Sequence, residues 1–239
     1  MTSQTDYKLM EWTPGRVQRF WDWQSRHPEQ YFTYQFGRRI AHSLAAYLRN
    51  RDVLDYGCGI GAFLPHLCSV ADRVTAVDIS PDSIAAARIR GEPFSNFQGA
   101  VLLADLLQKQ QQFETVISVE VIEHLDDAAL EQFLTAMRQL IKPGGSFVLT
   151  TPNDEDLTQN YVLCPTSGEL FHRWQHMRSW SGASLSRRLE EAGLVVSQVL
   201  ITDLARPSLL SPGGVMRVLH RLRHGVGKQP HLVCVGTRR

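Results

Sequence analysis

The chain has 239 residues, 43% of them hydrophobic, which is enough for one sizeable core and falls in the range of a single α/β domain. A formal net charge of +1 gives no global field of the kind that gathers nucleic acid or an acidic partner. The amino terminus, MTSQTDYKLMEW, has no apolar run of a secretory signal or recognisable transit peptide, no stretch approaches the ~18 apolar residues that cross a bilayer, and none of the four cysteines forms a Cys-x-x-Cys pair, so a reduced, cytoplasmic protein is expected.

Residues 1 to about 50 are rich in aromatics, among them Trp12, Phe20, Trp21, Trp23, Tyr31, Phe32, Tyr34 and Phe36. Helical spacing runs from Arg16 to Arg26 and from Phe36 to Leu48, with Pro28 between. Two readings are compatible: helices packing their aromatics on a sheet or on each other, and a lid over a ligand. From Arg51 the pattern alternates strand and helix. Strands are predicted at Asp52–Tyr56, Arg73–Asp78, Ala100–Leu103, Thr115–Val119, Ser146–Thr150, Val195–Thr202 and Leu232–Thr237, and helices at Ala62–Ser69, Pro81–Arg90, Ala128–Ile141 and Gly182–Ala192. Such alternation means parallel strands joined by crossover helices. Ser80 followed by Pro81 is a good helix opening, and Lys142-Pro143-Gly144-Gly145 closes one helix and turns into the next strand. The run from Val215 to His224 reads as a basic amphipathic helix. It either packs its apolar side on the domain or meets a membrane surface or an anionic substrate.

The chemistry is carried by five motifs. In Val53-Leu54-Asp55-Tyr56-Gly57-Cys58-Gly59-Ile60-Gly61 a strand end runs into a glycine turn that lets the backbone approach a ligand. Val74–Ser80 ends its β-type run in Asp78, an acid about 20 residues further on that is placed to accept hydrogen bonds from ribose hydroxyls. Asp105 and Leu106 follow the third strand, where a carboxylate meets the exocyclic amine of an adenine and an apolar side chain its ring. Glu120, Glu123 and His124 follow the fourth. A helical turn there would bring all three to one face, as a divalent metal site (Mg²⁺, Mn²⁺ or Zn²⁺) or as a base for a hydroxyl nucleophile. His172 and His176, flanked by Trp174 and Trp180, either complete that site or serve packing.

The order of VLDYGCGIGAF, VTAVDIS, Asp105, FETVISVEVIEHL and LIKPGGSFVLTTPN resembles the class I S-adenosylmethionine-dependent methyltransferases over roughly residues 51–153, with the terminal strand pair extending the match. The resemblance implies a Rossmann-like three-layer α/β sandwich with a seven-stranded, mostly parallel sheet whose last strand is antiparallel. It implies residues 1–50 as a helical cap or lid and residues 51–239 as the methyltransferase domain, within one globular unit. S-adenosylmethionine is then held by Asp55, Gly57, Cys58, Gly59, Gly61, Asp78, Ile79, Asp105 and Leu106, with Glu120 beside the sulfonium. Glu123 and His124 are the expected catalytic pair.

Two subgroups are similar in the EVIEHL and TTPN segments: the ubiquinone-pathway O-methyltransferases and the small-RNA 3′-terminal 2′-O-methyltransferases. The second implies a divalent metal on Glu120, Glu123, His124 and His176 or His172. The chain departs from it in lacking a basic balance and an RNA-binding module. It is also similar to bacterial methyltransferases with a CPxCG knuckle, which here reads Cys164-Pro165-Thr166-Ser167-Gly168 with serine for the second cysteine. The expected activity is O-methylation of a small-molecule or glycan hydroxyl. The alternatives are RNA methylation with a divalent metal, or a non-catalytic binding module on the same fold.

Overall fold

The computed structural model describes residues 7–206 and 229–238, so the basic run at 215–224 lies outside the described residues. Two helices, α1 (Pro14–Gln24) and α2 (Phe32–Ser43), and the short α3 (Ala45–Leu48) precede the first strand. The chain then runs β1 (Asp52–Tyr56), α4 (Leu64–Leu67), β2 (Arg73–Asp78), α5 (Pro81–Gly91), β3 (Phe97–Leu102), α6 (Leu103–Gln108) and β4 (Phe113–Val119). It continues with α7 (Asp127–Leu140), β5 (Ile141–Pro152), the hairpin β6 (Tyr161–Leu163) and β7 (Leu170–His172), then α8 (Gly182–Glu191), β8 (Leu194–Thr202) and β9 (His231–Arg238).

Seven strands form one sheet in the order β3-β2-β1-β4-β5-β9-β8. The pairs among β3, β2, β1, β4 and β5 are parallel, and β9 lies antiparallel between β5 and β8. Parallel strands need helical crossovers, and the helices bury both faces. Successive residues of β1 serve opposite faces. Val53 joins a core with Ile40, Leu44, Leu64, Leu67 and Ile84, whereas Leu54 joins one with Phe133, Leu134, Met137, Leu185 and Leu189. Each such fully buried side chain stabilises the fold by about 1.5–3 kcal/mol. Because Ile40 and Leu48 are completely buried in that first core, packing is continuous across residue 50.

Local chemistry sets the helix starts. Ser80 accepts from the Ser83 N–H with Pro81 at the first helical position, Asp126 accepts from the Ala129 N–H, and Ser181 and Ser184 form a reciprocal capping box. Several expected bounds are corrected. The helix predicted over Ala62–Ser69 contains only one regular turn, α4, because Leu64 and Val70 make tight bonds to Gly61 and Leu67 on either side. The single helix predicted from Phe36 to Leu48 starts at Phe32 and breaks at Leu44, whose φ of −99° and ψ of 2° leave the helical region. The third strand begins at Phe97, not Ala100, and passes through Gly99 at φ +127° beside a register shift, which masks its alternation. Leu103 and Asp105 are helical, in the first turn of α6, where an acid is favoured by the helix dipole. Ile141 is a strand residue of β5, not the end of the helix. The hairpin β6–β7 is not apparent in the spacing. Its turn is the Cys164–Gly168 knuckle, closed by Cys164 N–H to Glu169 O at 2.8 Å and Gly168 N–H to Cys164 O at 2.8 Å, and all four cysteines are free. Among the described residues no helix is long and apolar enough to cross a membrane.

Candidate functional site

The strand order reverses at β1, which has β2 on one side and β4 on the other. Ligands of open α/β sheets bind at the carboxyl ends of the strands at such a switch point. The glycine turn leaves β1 there. Asp78 ends β2, and Glu120 follows β4.

Asp78 ties the turn to the next helix. Its Oδ2 accepts from the Gly59 N–H at 2.9 Å, and its Oδ1 accepts from the Ser80 N–H at 2.9 Å. Two glycines of the turn do different work. Gly61, at φ +77°, lies against α5, where a Cβ would meet the Ala87 Cα at 2.8 Å. Gly59, at φ +50°, has room on its ligand side, since a Cβ there would come no closer than 3.7 Å to Tyr31 Cε1. Gly61→Ala is therefore expected to cost about 2–4 kcal/mol, from backbone strain plus overpacking. Gly59→Ala is expected to cost only about 1 kcal/mol of fold stability while still impairing ligand binding. Chemical denaturation of the two variants side by side checks the order. Equal losses would refute the division of labour.

The cleft is electrostatically uncompensated. Asp55 is buried, its Oδ2 has no hydrogen-bond partner, and its carboxyl is pushed up to about 7 by burial and then by the charge of Asp78. Asp78 is also raised, by burial, against the lowering effect of its backbone donors. Among the described residues neither acid forms an ion pair. Two carboxyls without a counter-charge make this cleft a favourable site for a cation. The Cys58 thiol is pushed well up by burial and by both acids, so at neutral pH it is a small packing group, not a nucleophile.

Other expected ligand contacts divide. Ile79 is 77% exposed beside Asp78, an apolar surface available to a flat ring. Asp105 is exposed on the first turn of α6. Leu106 is corrected from an open contact surface to a core residue: at 2% exposure it belongs with Tyr56 and Val77, because α6 begins before it and turns its side chain inward. Tyr31, which sequence reading named only among the aromatics, approaches Gly59, and its hydroxyl is raised to about 12 by burial and by Asp78.

The segment after β4 does not turn as a continuous helix. Glu120 sits at φ +54°, and the short 3₁₀ turn begins only at Ile122 and ends at His124. The left-handed residue breaks the continuous helical turn that was expected over Glu120, Glu123 and His124, although Glu120 still acts electrostatically on Glu123. Instead Glu120 accepts from Thr150 Oγ1 at 2.8 Å, and burial pushes its carboxyl up to about 7. Glu123 is 1% exposed and accepts from Thr151 Oγ1 at 2.9 Å; burial, then Glu120, raises it well above the usual range. His124 is lowered to about 3, chiefly by burial and then by His176, so its imidazole is neutral at pH 7.

Residues far away in sequence close this side. Gln175, at φ +61° and fully buried, donates Nε2–H to the His124 carbonyl at 3.0 Å and accepts from Trp21 Nε1–H at 3.0 Å. Trp21 also meets the His124 ring edge-on at 4.9 Å, which joins α1 to the site. His176 lies beside His124, with ring centroids 4.9 Å apart, and stacks on His172 at 4.4 Å. Glu155 faces both later histidines, and they hold its carboxyl below the usual range although burial alone would raise it. Sequence reading missed Glu155 and Gln175. Their only local signal is position, Glu155 just past the TTPN end of β5 and Gln175 between the two histidines.

A sequence model of the methyltransferase domain matches residues 18–199. A probable S-adenosylmethionine-dependent methyltransferase of Mycolicibacterium smegmatis is 32% identical over 178 residues, 74% of this chain and 61% of that protein. A ubiquinone biosynthesis O-methyltransferase of Cereibacter sphaeroides is 29% identical over 149 residues, 60% of this chain and 58% of that protein. The matches thus span about three fifths of the length of these curated relatives. Among solved structures, the 1,6-didemethyltoxoflavin N1-methyltransferase of Burkholderia thailandensis, with bound 1,6-didemethyltoxoflavin and S-adenosylhomocysteine, has the same fold. It superposes with a TM-score of 0.66 at 16% identity, covering 97% of this chain and 92% of that one.

Proposed function

The chain belongs to the class I S-adenosylmethionine-dependent methyltransferase family, and from that premise we propose that it moves the methyl group of S-adenosylmethionine to a hydroxyl oxygen of a small molecule or glycan. The observation that carries the cofactor half is the uncompensated acid pair. Asp78 offers lone pairs to ribose hydroxyls beside the Gly59 backbone, and Asp55 offers charge to a cationic cofactor. Ile79 and Asp105 frame the adenine, and Glu120 lies towards the sulfonium.

The hydroxyl half rests on the Glu123–His124 end of the cleft. Methyl transfer is an in-line displacement, so holding acceptor and methyl in line does most of the catalysis. The acceptor still has to lose its proton. His124 is neutral, and its Nδ1 faces the Gln175 carbonyl oxygen at 3.4 Å, which leaves the Nε2 lone pair to take a proton. Glu123 Oε1 lies 3.8 Å from that nitrogen. Trp21 and Tyr31 act as the lid that excludes water, which supports reading the amino-terminal segment as a cap. The four free thiols suit a reducing compartment.

Calorimetry with S-adenosylhomocysteine, together with transfer of labelled methyl to a panel of phenolic, catecholic and sugar hydroxyls, tests this reading. Micromolar binding and label in an ether product are expected. His124→Ala should keep that binding and lower turnover by about 10²–10⁴-fold. No cofactor binding by folded protein defeats the methyltransferase reading. Label on nitrogen, or in RNA, defeats the acceptor.

A further inference from the structure

His124 stands on a turn too short to hold itself. The 3₁₀ turn spans Ile122–His124, and the His124 N–H donates to the Val121 carbonyl at 3.0 Å. A turn of that length leaves its last carbonyls without partners from within. A segment far along the chain takes three carbonyls in a row. The Met177 N–H donates to the Glu123 carbonyl at 2.8 Å, Gln175 Nε2–H to that of His124 at 3.0 Å, and Arg178 Nε–H to that of Leu125 at 2.9 Å.

Gln175 does more than the other two. Its own carbonyl faces His124 Nδ1 at 3.4 Å, and its side-chain Oε1 accepts from Trp21 Nε1–H at 3.0 Å. An indole N–H only donates and a main-chain carbonyl only accepts, so a primary amide in one orientation satisfies both, and neither a carboxylate nor an apolar side chain can. The residue is fully buried and sits at φ +61°. Left-handed backbone is uncommon for a residue with a Cβ and persists where the surroundings over-determine it. Glycine would take this φ without strain but would bring no amide. Trp21 in turn lies edge-on to the His124 ring at 4.9 Å and stands 6.3 Å from Tyr31, the residue over Gly59.

We propose that Gln175 is a positioning residue for His124, and that it makes the aim of His124 depend on α1 being docked. The Gln175 carbonyl keeps the ring protonated on Nδ1, with the lone pair on Nε2. The side-chain Nε2–H holds the main chain of the turn, and Oε1 is held by Trp21 of α1. An α1 that lifts away takes the donor from a buried amide oxygen. The amide recovers a partner only by turning, and turning drops the His124 carbonyl. Exclusion of water by the cap and a correctly aimed proton acceptor are then one event. The inference rests on the reading of His124 as that acceptor, and it concerns the ring's tautomer and not its titration.

Full-length protein with ¹⁵N-labelled histidine is recorded by NMR at neutral pH, without cofactor or acceptor. The signals missing from His124→Ala assign the ring, and thermal denaturation reads the fold. In wild type, His124 is expected as one neutral tautomer with its proton on Nδ1. Gln175→Met keeps the volume and removes both amide contacts; it should lower the ratio of the Nδ1–H to the Nε2–H form by about 5–10-fold. Trp21→Phe keeps a ring beside His124 and removes only the N–H; it should lower the ratio by about 2–5-fold, and the double variant by less than the product of the two. A purely structural role for Gln175 would lower the melting temperature and leave the ratio alone. A wild-type ring with its proton on Nε2, or a folded Gln175→Met protein with the wild-type ratio, overturns the proposal. A wild-type ratio in Trp21→Phe overturns the dependence on α1, and this variant decides alone if Gln175→Met does not fold. No cofactor or acceptor enters the measurement, so failure here and failure of the methyltransferase reading are distinguishable.

Discussion

Asp78→Ala is expected to weaken S-adenosylhomocysteine binding by about 10²–10⁴-fold in calorimetry while leaving a folded protein. The carboxylate accepts from the Gly59 and Ser80 N–H groups and keeps lone pairs for two ribose hydroxyls. Hydrogen bonds to a charged group contribute about 1.5–3 kcal/mol each, so losing two costs roughly 3–6 kcal/mol of binding. The cost to the free protein is smaller. The two stranded N–H groups belong to Gly59 and Ser80, which are only half-buried, and removing one acid relieves the repulsion on Asp55. A variant that binds within a few-fold of wild type would remove Asp78 from the cofactor site.

Asp55→Asn is expected to separate stability from function. Burial first, and the charge of Asp78 second, push the Asp55 carboxyl from 3.8 to about 7. A carboxyl whose folded pKa lies above its unfolded value binds its proton more tightly in the native state. It contributes stability that is fully present below about pH 4 and is lost as pH rises through about 7. That difference corresponds to about 4 kcal/mol at most. Asparagine cannot ionise, so the variant should melt above wild type at pH 8 and lose that advantage towards pH 4. The quantity to measure is the difference between the two stability profiles. Raised carboxyls whose shifts do not involve Asp55, Glu123 among them, slope both profiles alike and drop out, whereas Asp78 is coupled to Asp55 and its change belongs to the difference. Two parallel profiles would sink the argument. At pH 8 the same variant should bind the cationic cofactor less well, because the charge that destabilises the empty cleft is the one the ligand neutralises. The opposite signs in stability and affinity would mark Asp55 as a functional residue and not a packing one.

The legible part of this protein was local. A glycine turn after an apolar run, an acid at the next strand end and Ser80-Pro81 before a helix each depend on a few neighbouring residues, and each takes the local structure expected of it. The alternation of strand and helix was enough for seven strands with parallel pairs joined by crossovers, whereas the antiparallel last strand was what the family resemblance implied. Tertiary structure decided the rest. Glu120 and Glu123 look equivalent in sequence, yet one left-handed residue puts Glu120 on Thr150 and leaves Glu123 with His124. Leu106 is a surface contact or a core residue depending on where α6 begins, which packing against Tyr56 and Val77 settles. Tyr31, Glu155 and Gln175 carry no local signature, because their roles come from long-range approach: a tyrosine over Gly59, a carboxylate between two histidines, an amide bridging Trp21 and His124. Spacing reports periodicity along one segment. Which segments then meet is set by how the chain buries both faces of the sheet, and the histidine end of the cleft exists only once that burial has brought Glu123, Glu155 and His176 together.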